Sequence, residues 1–456
     1  MHSVYVRDII RLCNGKLLYG NLDLELINFC IDTRNLNKND VYVGIMGEKI
    51  NGSDFYKEAY EKGASCLILN KEPNELLDNV TVIVVDDTLE CLQELAKYKR
   101  SLYDIPVVAI TGSVGKTSTK DLVYSVVSQK YKTHRTIGNF NNHIGLPLTI
   151  LGLSDDIEAL VVEMGMNHLG EISLLSNIAK PTIAVITNVG TAHIGNLGSR
   201  ENIRKAKLEI LDGIIGNNVI INGDDDMLSL VIDELKLKYD VRDVSIDGKS
   251  AYMAVNIEED VFSSKFDILD IDKDIVVNVG GKAYIYNSLV AYAVGEVLNI
   301  DKGLIKIGIN EFKLSSSRLE KKITNKGTIL IDDTYNANYD SMKSSIELLG
   351  RVNDKRRVAI LGDMLELGEY TNKMHTDLGD VVVNNKIDSL ITIGEHSKLI
   401  GKRAIELGMD NSNIYSFEKE DDSYSFLDEY LDSNDIVLLK GSHGIHLVGI
   451  VDYLMK

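Results

Sequence analysis

Val107-Val108-Ala109-Ile110-Thr111-Gly112-Ser113-Val114-Gly115-Lys116-Thr117-Ser118 is the stretch that decides the fold. Its first five residues form a near-continuous apolar run, which reads as a parallel strand covered on both faces. A glycine turn follows, and Lys116-Thr117 opens a helix. Glycines let backbone N–H groups converge on phosphate oxygens, and a helix N-terminus adds positive potential. In that setting Lys116 reaches the terminal phosphates of a nucleotide and the Thr117 hydroxyl reaches a Mg²⁺ ion. Ile110 stands where the usual phosphate loop has its first glycine, so this is a shortened G-x-x-G-K-T form. The bland alternative is a glycine turn beside a chance lysine. Agreement of the strand, turn and helix signals favours nucleotide binding.

Outward from this stretch, short β-rich runs alternate with longer helix-like segments, the pattern of an α/β chain. Before it, strands are expected at 41–45, 66–69 and 80–85, then a helix over 89–103 that ends before Pro106. After it come buried strands at 160–163, 183–187 and 219–222. The pattern restarts after Lys313 with strands at 328–331, 358–361, 390–393 and 436–439. A chain of 456 residues exceeds one ordinary core. Three segments are expected, 1–103, 104–314 and 315–456.

Charge and composition narrow the function. The net charge of −19 disfavours nonspecific contact with nucleic acid or anionic lipid. No apolar run reaches the roughly 18 residues a membrane helix needs, so no membrane insertion is expected. The start, Met1-His2-Ser3-Val4-Tyr5-Val6-Arg7, lacks the basic-then-apolar order of a signal peptide. A cytoplasmic protein is the expectation. The four cysteines, Cys13, Cys30, Cys66 and Cys91, form no CxxC pair, which indicates neither a zinc site nor a disulfide framework.

Three further residues belong with the phosphate loop. Glu163 closes a buried strand, and His193 lies just past another, within Asn188-Val189-Gly190-Thr191-Ala192-His193. Ligands of parallel sheets gather beyond the carboxyl ends of strands, which favours metal binding over a solvated strand end and a loop histidine. Lys207 shares the apolar stripe of a helix over 199–214, carried by Ile203, Ile210, Leu211 and Ile214, so it points inward. Helix geometry alone favours a lysine whose stem packs while its ammonium escapes to water.

With these residues in view, the chain resembles the Mur ligases. In the first segment Asp32-Thr33-Arg34, Asn39-Asp40-Val41-Tyr42-Val43-Gly44 and Asn51-Gly52-Ser53-Asp54-Phe55 are similar to the family's uridine-domain patterns. In the second, the phosphate loop (Thr111, Gly112, Ser113, Val114, Gly115, Lys116, Thr117, Ser118), Gly138-Asn139-Phe140-Asn141-Asn142-His143-Ile144-Gly145-Leu146-Pro147, Glu163-Met164-Gly165 and Asn188–His193 match. In the third, Ser317-Arg318-Leu319-Glu320, Asp332-Asp333-Thr334-Tyr335-Asn336-Ala337-Asn338, Leu361-Gly362-Asp363-Met364-Leu365-Glu366-Leu367-Gly368 and Lys440-Gly441-Ser442-His443-Gly444 follow the branch that adds D-alanyl-D-alanine. His443 stands where the family more often has Arg, and Tyr339 where it usually has Pro.

The resemblance implies a small N-terminal α/β domain for a UDP-linked substrate. It implies a central P-loop-type ATPase domain on a mostly parallel sheet, and a C-terminal Rossmann-like α/β domain. It also implies ATP-dependent joining of D-alanyl-D-alanine to the terminal carboxylate of UDP-N-acetylmuramoyl-tripeptide through an acyl phosphate. Residue by residue, Thr117 and Glu163 would hold one Mg²⁺, and His193 with a carbamylated Lys207 a second, which reverses the reading of Lys207 from helix geometry. Asn287 would contact adenine, Arg318 the phosphates and Asp333 the ribose; Thr33, Arg34, Asn139 and Asn142 would serve the substrate. ATP touching two domains implies that the third swings onto the second.

The diaminopimelate- or lysine-adding branch carries a D-N-P-R motif that this sequence lacks. Folylpolyglutamate synthases leave the first hundred residues unexplained. An ATP-binding switch would keep the loop without ligation, and a dehydrogenase has no strand leading into G-x-G-x-x-G. A monomer is the default expectation, and the third residue of the tripeptide stays open.

Overall fold

A computed structural model of the chain describes residues 2–75, 77–314 and 316–456. The run before the phosphate loop is the strand Val107–Thr111, every residue of which is buried. It pairs in parallel with Ala159–Glu163 on one side and Ile183–Ile186 on the other, with Ile110 opposite Glu163 and Thr111 opposite Ile186. Beyond Ala159–Glu163 lies Thr133–Arg135, and beyond Ile183–Ile186 lie Asn218–Asn222 and Asp240–Ser245, all parallel. The chain therefore leaves Val107–Thr111 in one direction and returns past it in the other. At such a reversal the flanking connections diverge, opening a crevice outside the carboxyl ends of the strands. Lys116, Glu163 and His193 all sit at that end.

This nine-stranded sheet continues through Tyr252–Glu259, Ser264–Ile268 and Asp272–Val277, the last three joined as antiparallel hairpins. The sequence reading expected no strand after 222 in this segment. Buried and more open residues alternate along Tyr252–Glu259 and Ser264–Ile268, the period-two signature of half-covered strands, in contrast to the unbroken apolar runs that flagged the parallel core.

Before the central sheet lies a five-stranded one in the order Lys16–Tyr19, Thr81–Val84, Cys66–Leu69, Val41–Val43, Phe29–Cys30, and only the first pair is antiparallel. After it comes a six-stranded sheet in the order Glu320–Ile323, Ile329–Asp332, Asp435–Lys440, Arg356–Gly362, Ser389–Ile393, Ile414–Phe417, again with only the first pair antiparallel. Ser315, the first residue of the expected third segment, lies outside the described residues. Expected strands 66–69 and 107–111 match residue for residue; the helix expected over 199–214 is Arg200–Leu208, followed by a 3₁₀ turn at Glu209–Leu211. Among the described residues no helix is long and apolar enough to cross a membrane.

The helix Thr88–Ser101, capped by the Asp87 carboxylate on the Leu89 and Glu90 amides, ties the first region to the second. Its Arg100 is 3% exposed and donates to the carbonyls of Tyr103, Ala179 and Lys180 at 2.7, 2.8 and 3.2 Å. Ala179 ends the helix Glu171–Ala179, so a guanidinium meets the negative end of a helix dipole. Arg100→Met keeps much of the packing but leaves three carbonyls without their donor. It is expected to cost roughly 2–4 kcal/mol, read as a lower urea midpoint with an unchanged slope.

Candidate active site

The phosphate loop holds its shape through a network of backbone and side-chain bonds. Gly112 (φ +156°) lies so close to the neighbouring strand that a Cβ would sit 1.9 Å from the Thr187 hydroxyl, and Gly115 (φ +83°) begins the helix Lys116–Val127 in a left-handed conformation. Asn188 braces the loop: its carbonyl accepts from the Ser113 amide and its side-chain oxygen from the Val114 amide, at 3.0 and 2.8 Å. Thr111 is fully buried, and its hydroxyl is spent on the carbonyl of Met164 at 2.9 Å.

Beside the loop opens a cavity of about 400 Å³, lined from both the central and the last sheet. At its centre is Glu163, 2% exposed, with one carboxylate oxygen accepting from the Thr117 hydroxyl at 2.9 Å and the other from the Asn141 amide at 2.7 Å. The Arg318 guanidinium, carried just before the strand Glu320–Ile323, donates to the same Thr117 hydroxyl at 3.0 Å and lies 3.9 Å over the Tyr335 ring. Lys116 donates to the Gly112 carbonyl at 2.8 Å, and burial pulls its ammonium below the usual value, opposed by Glu163 and reinforced by Arg318.

Around this centre are three buried nitrogens without a hydrogen-bond partner among the described residues: Asn287 Nδ2, His193 Nδ1 and Lys207 Nζ. The other end of the Asn287 amide accepts from the Thr119 hydroxyl at 2.8 Å. Glu366 Oε2 lies 3.4 Å from His193 Nδ1. Burial, then Lys116, Lys207 and His168, bring the His193 imidazole down to about 4, so it is neutral at pH 7 and free to act as a ligand. Lys207 is 0% exposed, which overturns the escaping ammonium that helix geometry favours. Burial, then Lys116, pull its amine well below the usual range, opposed by Glu209.

Family models match along most of the chain: the catalytic domain of the Mur ligase family over residues 27–100, the Mur ligase middle domain over 110–295, and the glutamate ligase domain of Mur ligases over 317–443. The UDP-N-acetylmuramoyl-tripeptide–D-alanyl-D-alanine ligase of Bacillus subtilis (strain 168) is 33% identical, over 99% of this chain and 98% of its own length. The chain belongs to the Mur ligase family. The Mur ligase MurF of Acinetobacter baumannii superposes with a TM-score of 0.90 at 26% identity, over 99% of each chain. A MurF ligase of Thermotoga maritima, solved in complex with ADP, superposes at 0.82 with 26% identity, over 94% of this chain and 97% of that one.

The structure of this Mur ligase brings together most of the residues that the sequence singles out. Ser113 to Ser118, Asn142, Glu163, His193, Asn287, Arg318 and Asp333 line the one cavity; Thr111, Gly112, Asn139 and Lys207 do not. Lys207 sits behind the wall, close enough to Lys116 and His193 for their charges to be felt. Asn142 turns its oxygen to the Ile144 and Gly145 amides at the start of the helix Gly145–Leu151. Asn139 is exposed, and Thr33 and Arg34 belong to the first sheet's region, with Arg34 paired to Asp32 at 2.7 Å. Asp333 accepts from Lys440 and Ser345 through one oxygen, at 2.6 and 2.7 Å.

Sequence reasoning missed Asn141 and Lys440 as site residues. Asn141 sits between the two asparagines it chose, and the spacing of the loop offers no signal for which amide turns inward. Lys440 ends a buried apolar strand, the same signal that flagged Glu163.

A divalent cation fits this donor set. Thr117 and Glu163 present hard oxygens side by side at the end of the phosphate loop, as Mg²⁺ bound with nucleotide phosphates requires. Among the described residues no cluster of three or more His, Cys, Asp or Glu is placed to hold a metal ion. The depressed His193 has a consequence for stability. The unfolded chain binds that proton near pH 6.5 and the folded one only near 4, so this residue lowers folding stability as pH falls from about 6.5 towards 4. In chelator-treated protein, His193→Asn is expected to shrink the drop in urea midpoint between pH 7 and pH 4.5.

Proposed function

We propose that the protein joins D-alanyl-D-alanine to the terminal carboxylate of UDP-N-acetylmuramoyl-tripeptide with ATP, giving the pentapeptide, ADP and phosphate. The observation that carries this reading is the meeting of Arg318, from the last sheet, with Thr117 of the phosphate loop beside buried Glu163, in a chain whose curated relatives bear that activity as their name. A tripeptide carboxylate oxygen attacks the γ-phosphorus, ADP leaves, and an acyl phosphate remains. The dipeptide amine then attacks the acyl carbon, a tetrahedral intermediate forms, and phosphate departs.

The first step brings two anions together, and the chain's residues reduce the repulsion. Backbone amides of the loop and the start of the helix Lys116–Val127 face the phosphates. Lys116 and Arg318, which both line the cavity, supply positive charge to the transferring group. In this reading Asn287, with its unpartnered buried amide nitrogen, would contact adenine, and Asp333, with one oxygen not engaged by Lys440 or Ser345, the ribose. Mg²⁺ bound by Thr117 and Glu163 would supply further charge neutralisation and orient the γ-phosphate.

Lys207 supports the expectation of a carbamate. A fully buried amine without a partner, its proton affinity lowered by burial, would in its neutral form add to CO₂, forming an N–C bond and releasing one proton, and the resulting anion suits a second Mg²⁺ shared with neutral His193. In this reading residues 104–314 carry ATP, 1–103 the UDP end and 315–456 the closing surface, with Thr33, Arg34, Asn139 and Asn142 as substrate contacts.

The test is turnover with UDP-muramyl tripeptide, Mg²⁺ and D-alanyl-D-alanine, reading ADP and pentapeptide together. Both products are expected only when both substrates are present. Lys207→Ala should lose about 100-fold or more in kcat and recover in part with formate or acetate. ADP without pentapeptide would overturn the assigned substrates, and an unaffected Lys207→Ala the carbamate.

A further inference from the structure

The central and last regions meet on both sides of the cavity, where Glu366 lies 3.4 Å from His193, Tyr370 donates to the Gly198 carbonyl at 3.3 Å, and residues 366–368 pack on Gly195. Arg318 reaches Thr117, and Arg351 pairs with Glu259 on the hairpin side. A further contact is a pair of hydrogen bonds to the loop before His193. Asp340, in the first turn of the helix Tyr339–Leu349, extends its carboxylate to the segment between the strand Ile183–Ile186 and the helix Ile194–Leu197. Its Oδ2 accepts from both the Thr191 amide and the Thr191 hydroxyl, at 2.7 and 2.8 Å. Two residues further on is His193, held in the left-handed region at φ +63° and leading into that helix.

The start of the loop is anchored from within the central region, while its far end, at His193 and Gly195, is also met by Glu366 and the residues after it. The Val189 amide donates to Asp225 at 2.8 Å, and its carbonyl accepts twice from Arg200, at 3.2 and 2.7 Å. Residues 188 and 189 are thus fixed by their own domain and residue 191 by the opposite one.

Between them stands Gly190. Its φ is outside the left-handed region, so its backbone does not call for glycine. A Cβ there would lie 2.3 Å from Asp340 Oδ2 and 2.9 Å from its Cγ, with the next neighbour, Ser113 Cβ, at an ordinary 3.5 Å. What the missing side chain makes room for is a carboxylate from another domain.

We propose that Asp340 is a positioning residue: by holding Thr191 it sets the loop that presents the His193 imidazole, so that this ligand is in place only when the last domain is closed on the central one. Opened, the loop loses both bonds at Thr191 while keeping those at Val189. Groups that orient a metal-ligating histidine contribute roughly 10–100-fold in metal affinity or activity. The kinetic part of the inference rests on the ligase reading above; the structural part does not.

The experiment uses full-length protein with ADP and Mg²⁺ for amide hydrogen exchange, and the coupled ligase assay for Mg²⁺ dependence. Asp340→Ala is expected to speed exchange in the peptide spanning 188–197, raise the Mg²⁺ needed for half-maximal velocity roughly 10–100-fold, and leave the melting midpoint near that of the native chain. Asp340→Asn, which keeps an accepting oxygen, should lose less. Gly190→Ala should mimic Asp340→Ala by pushing the carboxylate away, yet cost less than about threefold once Asp340 is already Ala, because coupled sites are not additive. Native exchange and native Mg²⁺ dependence in Asp340→Ala would overturn the proposal. So would the same changes in Arg351→Ala, which would assign them to loss of closure in general. If the native chain makes no pentapeptide, the ligase reading falls, and the exchange arm alone decides Asp340.

Discussion

Removing a carboxylate from water costs several kcal/mol unless its oxygens are satisfied where it goes. Glu163 is taken out of water at the end of a core strand, and the satisfaction of its two oxygens organises the site. One oxygen fixes Thr117 and with it the start of the helix behind the phosphate loop. The other fixes Asn141 and the loop around it. Because Arg318 donates to the same Thr117 hydroxyl, the last sheet is also registered against this carboxylate. Three separate stretches of chain are positioned by a single buried charge.

The protein as a whole is strongly acidic, yet the cavity is surrounded by buried or half-buried cations. Lys116, Arg318 and Lys440 each have an oxygen partner, and Lys207 has none. Burial and Lys116 lower the proton affinity of the unpaired one. Positive potential is therefore concentrated where polyphosphate must lie, while the outer surface repels nucleic acid and other polyanions.

Much of this was legible in the sequence, for identifiable reasons. Fully covered parallel strands leave unbroken apolar runs, so 66–69 and 107–111 could be read to the residue. Half-covered hairpins such as Tyr252–Glu259 mix charges into their pattern and escaped notice. Helical periodicity placed Lys207 on the inner face, but it carries no information about whether the ammonium on its four-carbon stem reaches water; that depends on what packs over the helix. Asn141 and Asn142 are neighbours with opposite fates, one bonded to Glu163 and one capping a helix. Only the turn of the backbone distinguishes them.

The guanidinium of Arg100, sunk among three carbonyls, has a mechanical meaning. It welds the first region to the central sheet, whereas the last region meets the centre through Arg318, Asp340 and Arg351 and through the packing of residues 366–368 on Gly195. The molecule is built as one heavy jaw and one light one, with a single joint. A small molecule lodged between the first two regions would have to break the weld to act as a wedge. One lodged beside Arg318 or Asp340 need only keep the light jaw from shutting.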